Sequence, residues 1–248
     1  MNLLILGGTT EASRLAERLA GHTKIAATLS YAGRTEAPAR QPIPIRIGGF
    51  GGVDGLVAYL RDHAIDMVVD ATHPFAAQMS EHAVAACALT GTALLVFSRA
   101  PWQRQEGDRW IEVADNAAAA AALGATPRRV LMTIGRLGLS AFLTAPQHHY
   151  LIRTIDPPDD ADVPPDHRLL YARGPFTLAD ELRLMREEAV DIVVTKNSGG
   201  AATYAKIAAA RDLALPVVIV QPPARADVPT CHDLDACMAV IEAHVSAP

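Results

Sequence analysis

The residues Gly7-Gly8-Thr9-Thr10-Glu11-Ala12-Ser13 follow the apolar run Asn2-Leu3-Leu4-Ile5-Leu6 without a gap, and a helix-forming stretch comes next. A strand that turns through glycines into a helix presents backbone N–H groups and the positive end of a helix dipole to an anion. At the start of a βαβ unit that anion is typically a pyrophosphate. Against G-x-G-x-x-G, Gly7 takes the first position and Ala12 the tolerated third, while Thr9 stands where the middle glycine admits phosphate. The hydroxyls of Thr9 and Thr10 are expected to offset that loss by donating to the anion. Without a nucleotide, the same residues read as a helix cap on an ordinary sheet.

The end of the second strand narrows the cofactor. Folds that take NAD carry an acid there, about 20 residues past the glycines, to hold the ribose 2′-OH. Here the segment reads Thr28-Leu29-Ser30-Tyr31-Ala32-Gly33-Arg34, with no acid. Ser30 and Arg34 suit a 2′-phosphate, because a guanidinium pairs with phosphate oxygens in a bidentate way. The expected cofactor is therefore NADPH, the alternative being that Arg34 is a plain surface arginine.

Two further loops carry chemistry. Asp70-Ala71-Thr72-His73-Pro74-Phe75-Ala76 follows an apolar strand, and ligands of open α/β sheets bind outside the carboxyl ends of strands. His73 is a candidate proton donor there, although Pro74 alone accounts for a tight turn and water serves equally as the proton source. Thr195-Lys196-Asn197-Ser198-Gly199-Gly200 follows another apolar strand and reads as a second anion-binding turn opening a helix. The plainer role for Lys196 is helix capping or surface charge.

Other chemistries are excluded. The three lysines, Lys24, Lys196 and Lys206, are not followed by Ser or Thr, so there is no P-loop. No tyrosine precedes a lysine by four residues, and neither G-x-S-x-G nor H-E-x-x-H occurs. No metal is expected, since His148-His149 and Cys231-His232 lack the paired spacing of a zinc site. Cys87, Cys231 and Cys237 read as structural free thiols of a reducing compartment, hence a cytoplasmic protein. A net charge of −5 argues against general binding to nucleic acid or an anionic membrane. The opening apolar run is too short for a membrane span or signal core.

The elements that position these loops alternate along the chain. Expected strands are 2–6, 24–29, 43–47, 65–70, 93–97, 110–113, 129–134, 149–154, 168–172, 190–195 and 216–220. Expected helices are 11–20, 53–63, 75–89, 115–123, 138–144, 178–189, 200–211 and 233–245. Unbroken apolar strands such as Val217-Val218-Ile219-Val220 suit parallel sheets covered on both faces. So many strands exceed one open sheet of about 4–6. The sequence therefore implies an α/β fold of two Rossmann-like lobes with an active-site cleft between them. The alanine run ending at Gly124-Ala125-Thr126-Pro127 marks the expected break, giving a cofactor domain 1–125 and a substrate domain 126–248. The proline- and acid-rich segment Asp156 to His167 reads as a solvated loop.

Taken together, the glycine turn, the Asp70–Ala76 loop and the Thr195–Gly200 loop resemble the precorrin-6A reductase family of cobalamin biosynthesis, in order and over the whole chain. The resemblance implies a two-lobed enzyme that uses NADPH to reduce a double bond of a modified tetrapyrrole, giving precorrin-6B. Gly7, Gly8, Thr9, Thr10, Glu11, Ser30, Arg34, Thr72, His73, Pro74 and Phe75 would then face the cofactor. Arg136, Arg173, Lys196, Asn197, Ser198, Gly199 and Gly200 would face the substrate, a polyanion that an acidic protein must meet with local positive charge. Hand-over contacts with neighbouring pathway enzymes would complete the partners. Three alternatives stay open: a reductase of another anionic conjugated substrate, including the cobalt-containing counterpart; a non-catalytic nucleotide-binding regulator, which would bind without turnover; and a two-lobed sugar-nucleotide transferase, which the chain length disfavours.

Overall fold

The computed structural model describes residues 1–32, 40–224 and 226–246. In chain order the elements are β1 (Asn2–Leu6), α1 (Thr10–Leu19), β2 (Ala26–Tyr31), β3 (Ile45–Ile47), α2 (Gly52–Asp62), β4 (Met67–Asp70), α3 (Ala77–Thr90) and β5 (Ala93–Phe97). Then come β6 (Arg109–Val113), α4 (Asn116–Ala122), β7 (Arg129–Thr133), β8 (His149–Thr154), β9 (His167–Tyr171), α5 (Leu178–Glu187), β10 (Ile192–Lys196), α6 (Ala205–Asp212) and β11 (Pro216–Val220). The chain returns through β12 (Thr230–Cys231) and α7 (Leu234–Ser246). Arg136–Thr144 and Asp160–Asp162 are 3-10 helices; the first was expected as an α-helix.

Two six-stranded sheets result, ordered β12-β5-β4-β1-β2-β3 and β6-β11-β10-β7-β8-β9. Every recorded strand pairing is parallel. Each sheet has a doubly wound order, with β1 in the first and β7 in the second near the middle and later strands added on both sides; β6 alone precedes β7 and lies at an edge.

Burial explains why β1 is apolar at every position but the first. Leu3 and Ile5 pack with Leu15 and Leu19 of α1 and Ile241 of α7, whereas Leu4 and Leu6 pack with Leu56 of α2 and Ala83 of α3. A strand covered on both faces has no solvent side to give to polar residues. In the second unit, Leu131, Val193 and Val217 pack in the same way against Met185 of α5 and Ile207 of α6. Cys87 and Cys237 lie in these cores, and burial pushes both thiols up to about 12.

The chain divides into Met1–Ala100 with Pro223–Pro248, and Pro101–Pro222. The expected ranges 1–125 and 126–248 are corrected accordingly. The segment at Gly124 is the loop between α4 and β7, because β6 and α4 already belong to the second sheet, where β6 pairs with β11. The sixth strand of the first sheet is β12, which pairs with β5 after the whole second unit has intervened. The first unit thus owes its last strand to the far side of a chain crossing, whereas the second is continuous in sequence. A protein of residues 1–125 alone should fail to fold, lacking β12 and α7. Residues 1–100 joined by a short linker to 223–248 should melt as one cooperative unit. Calorimetry of the two chains checks this; cooperative melting of 1–125 would refute it.

Candidate active site

Gly7 closes β1. Its N–H donates to Ser30 O at 2.9 Å, and a Cβ there would stand 2.5 Å from Leu29 Cδ1. Gly8 has φ +116°, and a Cβ added to it would meet nothing within 4 Å. A residue without a side chain, facing open space ahead of a helix, leaves room for a ligand to approach the backbone. Thr9 caps α1: its Oγ1 accepts from Ala12 N at 3.2 Å and donates to Ala71 O at 2.7 Å. The hydroxyl proton expected to reach a phosphate is spent on tying this turn to the loop after β4. Exposed Thr10 and half-buried Glu11 carry first-turn N–H groups for which the helix itself has no carbonyl. Glu11 also brings a carboxylate to this anion-binding turn, and Arg99, just past β5, faces it at 3.1 Å. Arg99 offsets a charge that would otherwise repel a pyrophosphate, a role the sequence reading missed.

At the end of β2, Ser30 is 4% exposed and its Oγ accepts from Arg46 Nη1 at 3.0 Å. The same guanidinium donates to Gly48 O at 2.7 Å and Gly49 O at 2.9 Å, and it lies 3.8 Å from the Phe50 ring centroid. Ser30 thus accepts from Arg46 and keeps its own hydroxyl proton to donate. Arg34 lies outside the described residues. Arg46 puts a cation at the strand-end edge where doubly wound folds meet the ribose. An arginine between Ile45 and Ile47 in a short strand was the available signal.

After β4, buried Asp70 organises the loop. Its Oδ1 accepts from Thr72 N at 3.0 Å and Thr72 Oγ1 at 2.6 Å, and its Oδ2 from Ser80 Oγ at 2.5 Å. Thr72 thus holds its own turn rather than presenting its hydroxyl proton outwards. His73 Nδ1 accepts from Phe75 N at 3.3 Å, which leaves the proton of the neutral ring on Nε2. An imidazolium would set an Nδ1–H against that donor, so the geometry favours His73 as a turn residue over His73 as an acid.

In the second unit, Asn197 is 2% exposed and its amide is fully engaged. Oδ1 accepts from Trp102 N at 2.8 Å, while Nδ2 donates to Trp102 O at 3.1 Å and Gln221 Oε1 at 3.2 Å. Asn197 is corrected from a substrate contact to an internal clamp. Gly199 and Gly200, with φ +67° and +72°, do not open a helix; α6 starts at Ala205. Their turn is instead fixed by Trp102 Nε1 donating to Gly200 O at 2.7 Å. Lys196 ends β10 half-buried, and burial lowers its ammonium below the usual lysine range. Ser198 is also half-buried.

Arg136 and Arg173 are exposed beyond the ends of β7 and β9, with Arg136 Nη1 donating to Pro157 O at 3.4 Å. At the ends of the same three strands are large apolar side chains left in solvent: Leu137 at 68%, Ile155 at 52% and Tyr171 at 58% exposure. Since β7, β8 and β9 are hydrogen-bonded neighbours, these residues share one strand-end edge with the arginines. Exposed apolar groups alternating with guanidinium groups suit a large apolar ring fringed with carboxylates. Composition alone did not reveal them, because an isolated apolar residue at a strand end looks like core.

Sheet order, glycine turn and strand-end loops define an α/β protein of the doubly wound, nucleotide-binding class. Sequence comparison resolves it further: the profile of the precorrin-6x reductase CbiJ/CobK family matches residues 2–242, and the chain belongs to that family. It is 54% identical over 246 residues to precorrin-6A reductase of Rhodobacter capsulatus, covering 99% of this chain and 98% of that one. Identity to precorrin-6A reductase of Sinorhizobium is 48%, and to cobalt-precorrin-6A reductase of Methanothermobacter thermautotrophicus 28%. A solved structure of CobK precorrin-6A reductase superposes with a TM-score of 0.92 at 54% identity, covering 100% of this chain and 98% of that one. The glycine turn yields a direct expectation. Gly8→Val should stay folded, with about 1–3 kcal/mol of backbone strain, since its Cβ has space. Dinucleotide affinity should fall by at least about 1.4 kcal/mol, a tenfold loss in a fluorescence titration. Unchanged affinity in the folded variant would place the dinucleotide elsewhere.

Proposed function

We propose that the protein is an NADPH-dependent precorrin-6A reductase, which adds a hydride and a proton across one double bond of the macrocycle to give precorrin-6B. The observation that carries this reading is the full-length 54% identity to the Rhodobacter capsulatus enzyme. The lower identity, 28%, to a cobalt-precorrin-6A reductase favours the metal-free substrate.

The residues fit a dinucleotide. The uncluttered Gly8, the first-turn N–H groups of α1 and the Arg99-neutralised Glu11 would hold the pyrophosphate. Arg46 and Arg34 are the candidates for the 2′-phosphate, and the Thr72–Phe75 turn, braced by Asp70, would line the nicotinamide half. NADPH, when bound, supplies the hydride. The chain's own residues bind, orient and exclude water, which is what such cofactor chemistry requires of a protein. Arg136, Arg173, Lys196 and Ser198 would take carboxylates of the substrate, with Leu137, Ile155 and Tyr171 against its ring. His73 turns the loop, and the proton comes from water.

Mixing protein, NADPH and precorrin-6A should give equal losses of reduced nicotinamide and of the substrate chromophore. NADPH binding without turnover would favour a regulator instead. Lys196→Ala should raise the KM for precorrin-6A and leave NADPH affinity intact. A lost ionic hydrogen bond of about 1.5–3 kcal/mol predicts roughly a 10- to 150-fold fall in kcat/KM. Because burial lowers its pKa, Lys196 holds its charge below that value and loses it as pH rises, earlier than an exposed lysine would. The wild-type KM should therefore climb on the alkaline side, and steady-state profiles should show that limb missing in the variant.

A further inference from the structure

Arg99 lies just past β5, within the first unit. The backbone that carries it is fixed at Ser98, whose N–H donates to Cys231 O at 3.1 Å and whose carbonyl accepts from His232 Nδ1 at 2.6 Å. The side chain reaches the first turn of α1, where Nη2 stands 3.1 Å from Glu11 Oε2 and only 16% of the side chain is exposed. That contact is an ion pair without a hydrogen bond, since buried Glu11 Oε2 accepts from no donor among the described residues. The Arg99 guanidinium likewise meets no acceptor at hydrogen-bond geometry among the described residues. It has five N–H groups in a planar fork, and a polar group so far withdrawn from water ordinarily spends them. Here they remain for a ligand.

The sheet order says which part of a dinucleotide this cation meets. β1 lies between β2, whose end faces the adenosine ribose in this fold class, and β4 with β5 on the other side. Arg99, carried past β5, therefore comes to the start of α1 from the side away from the adenosine. We propose that Arg99 is a cofactor-binding residue: its guanidinium, paired with Glu11 beside the first turn of α1, donates to the nicotinamide-side phosphate of NADPH. This rests on the reading of NADPH as the cofactor. Gly8 and the first-turn N–H groups are neutral donors, and Thr9 has given its hydroxyl proton to Ala71 O. A planar fork that matches phosphate oxygens supplies the charge that the turn itself lacks. An arginine that only neutralised Glu11 would be dispensable once the carboxylate was gone. An arginine that donates to phosphate is needed with or without it.

The test is Arg99→Gln in the full chain, alone and together with Glu11→Gln. Each variant is titrated calorimetrically with NADPH and with 2′,5′-ADP, which has the 2′-phosphate and the adenosine-side phosphate but lacks the second phosphate of the bridge. The NADPH dissociation constant should rise roughly 10- to 150-fold in both variants, the loss of an ionic hydrogen bond, while that of 2′,5′-ADP stays unchanged. Wild-type NADPH affinity in the double variant would reduce Arg99 to a counter-charge and overturn the proposal. Equal losses for the two ligands, or no loss, overturn it as well. Should Arg99→Gln fail to fold, Arg99→Lys keeps the charge without the fork, and the same split between the two ligands is expected. Wild-type protein that binds no NADPH overturns the functional reading instead. Inorganic pyrophosphate, titrated into wild type and variant, then judges the arginine by itself, equal affinities counting against it.

Discussion

Strands of a parallel sheet all point one way, so every loop from a strand into the following helix leaves at the same edge. This constraint organises both units. In the first, it collects the Gly7-Gly8 turn, the Asp70-braced loop and Arg99 along one line of strand ends. In the second, it collects Arg136, Leu137, Ile155, Tyr171, Arg173 and Lys196. Residues far apart in sequence become neighbours of one edge with no dedicated scaffold beyond backbone ladders and apolar strands buried on both faces.

What the sequence discloses follows from the same physics. The ranges 2–6, 93–97, 149–154 and 216–220 were recovered residue for residue, because each is an apolar run between turn-forming segments. Two-residue β12, Thr230-Cys231, has no such run, and its place depends on an edge of β5 completed much earlier in the chain. The division into units was misread for a related reason. Nothing in the composition of β6 says that its partner is β11, more than 100 residues later. The start of α6 was misplaced because Gly199 and Gly200 look like a helix entry but form a turn pinned by Trp102.

The candidate site was legible in its backbone and less so in its side chains. Glycines and strand ends announce an anion-binding turn, since the requirement there is for absent side chains and free N–H groups. Polar side chains are ambiguous, because they bind either a ligand or the fold. Thr9, Thr72 and Asn197 were all read as facing ligands, and each gives its polar atoms to a neighbouring loop or strand. Arg46, Arg99 and the exposed Leu137, Ile155 and Tyr171 went unnoticed because only the fold shows what they stand beside.

The late return of the chain to the first sheet also sets the order in which the molecule can be completed during synthesis. Domains usually fold as they emerge, the amino-terminal one first. Here residues 101–222 contain every strand of the second sheet, whereas the first sheet waits for β12 and α7 at the far end of the chain. The nascent chain thus carries the incomplete first unit, with its β5 edge and one face of α1 uncovered, until β12 and α7 emerge. The later-made unit is finished first, and the first-made one last.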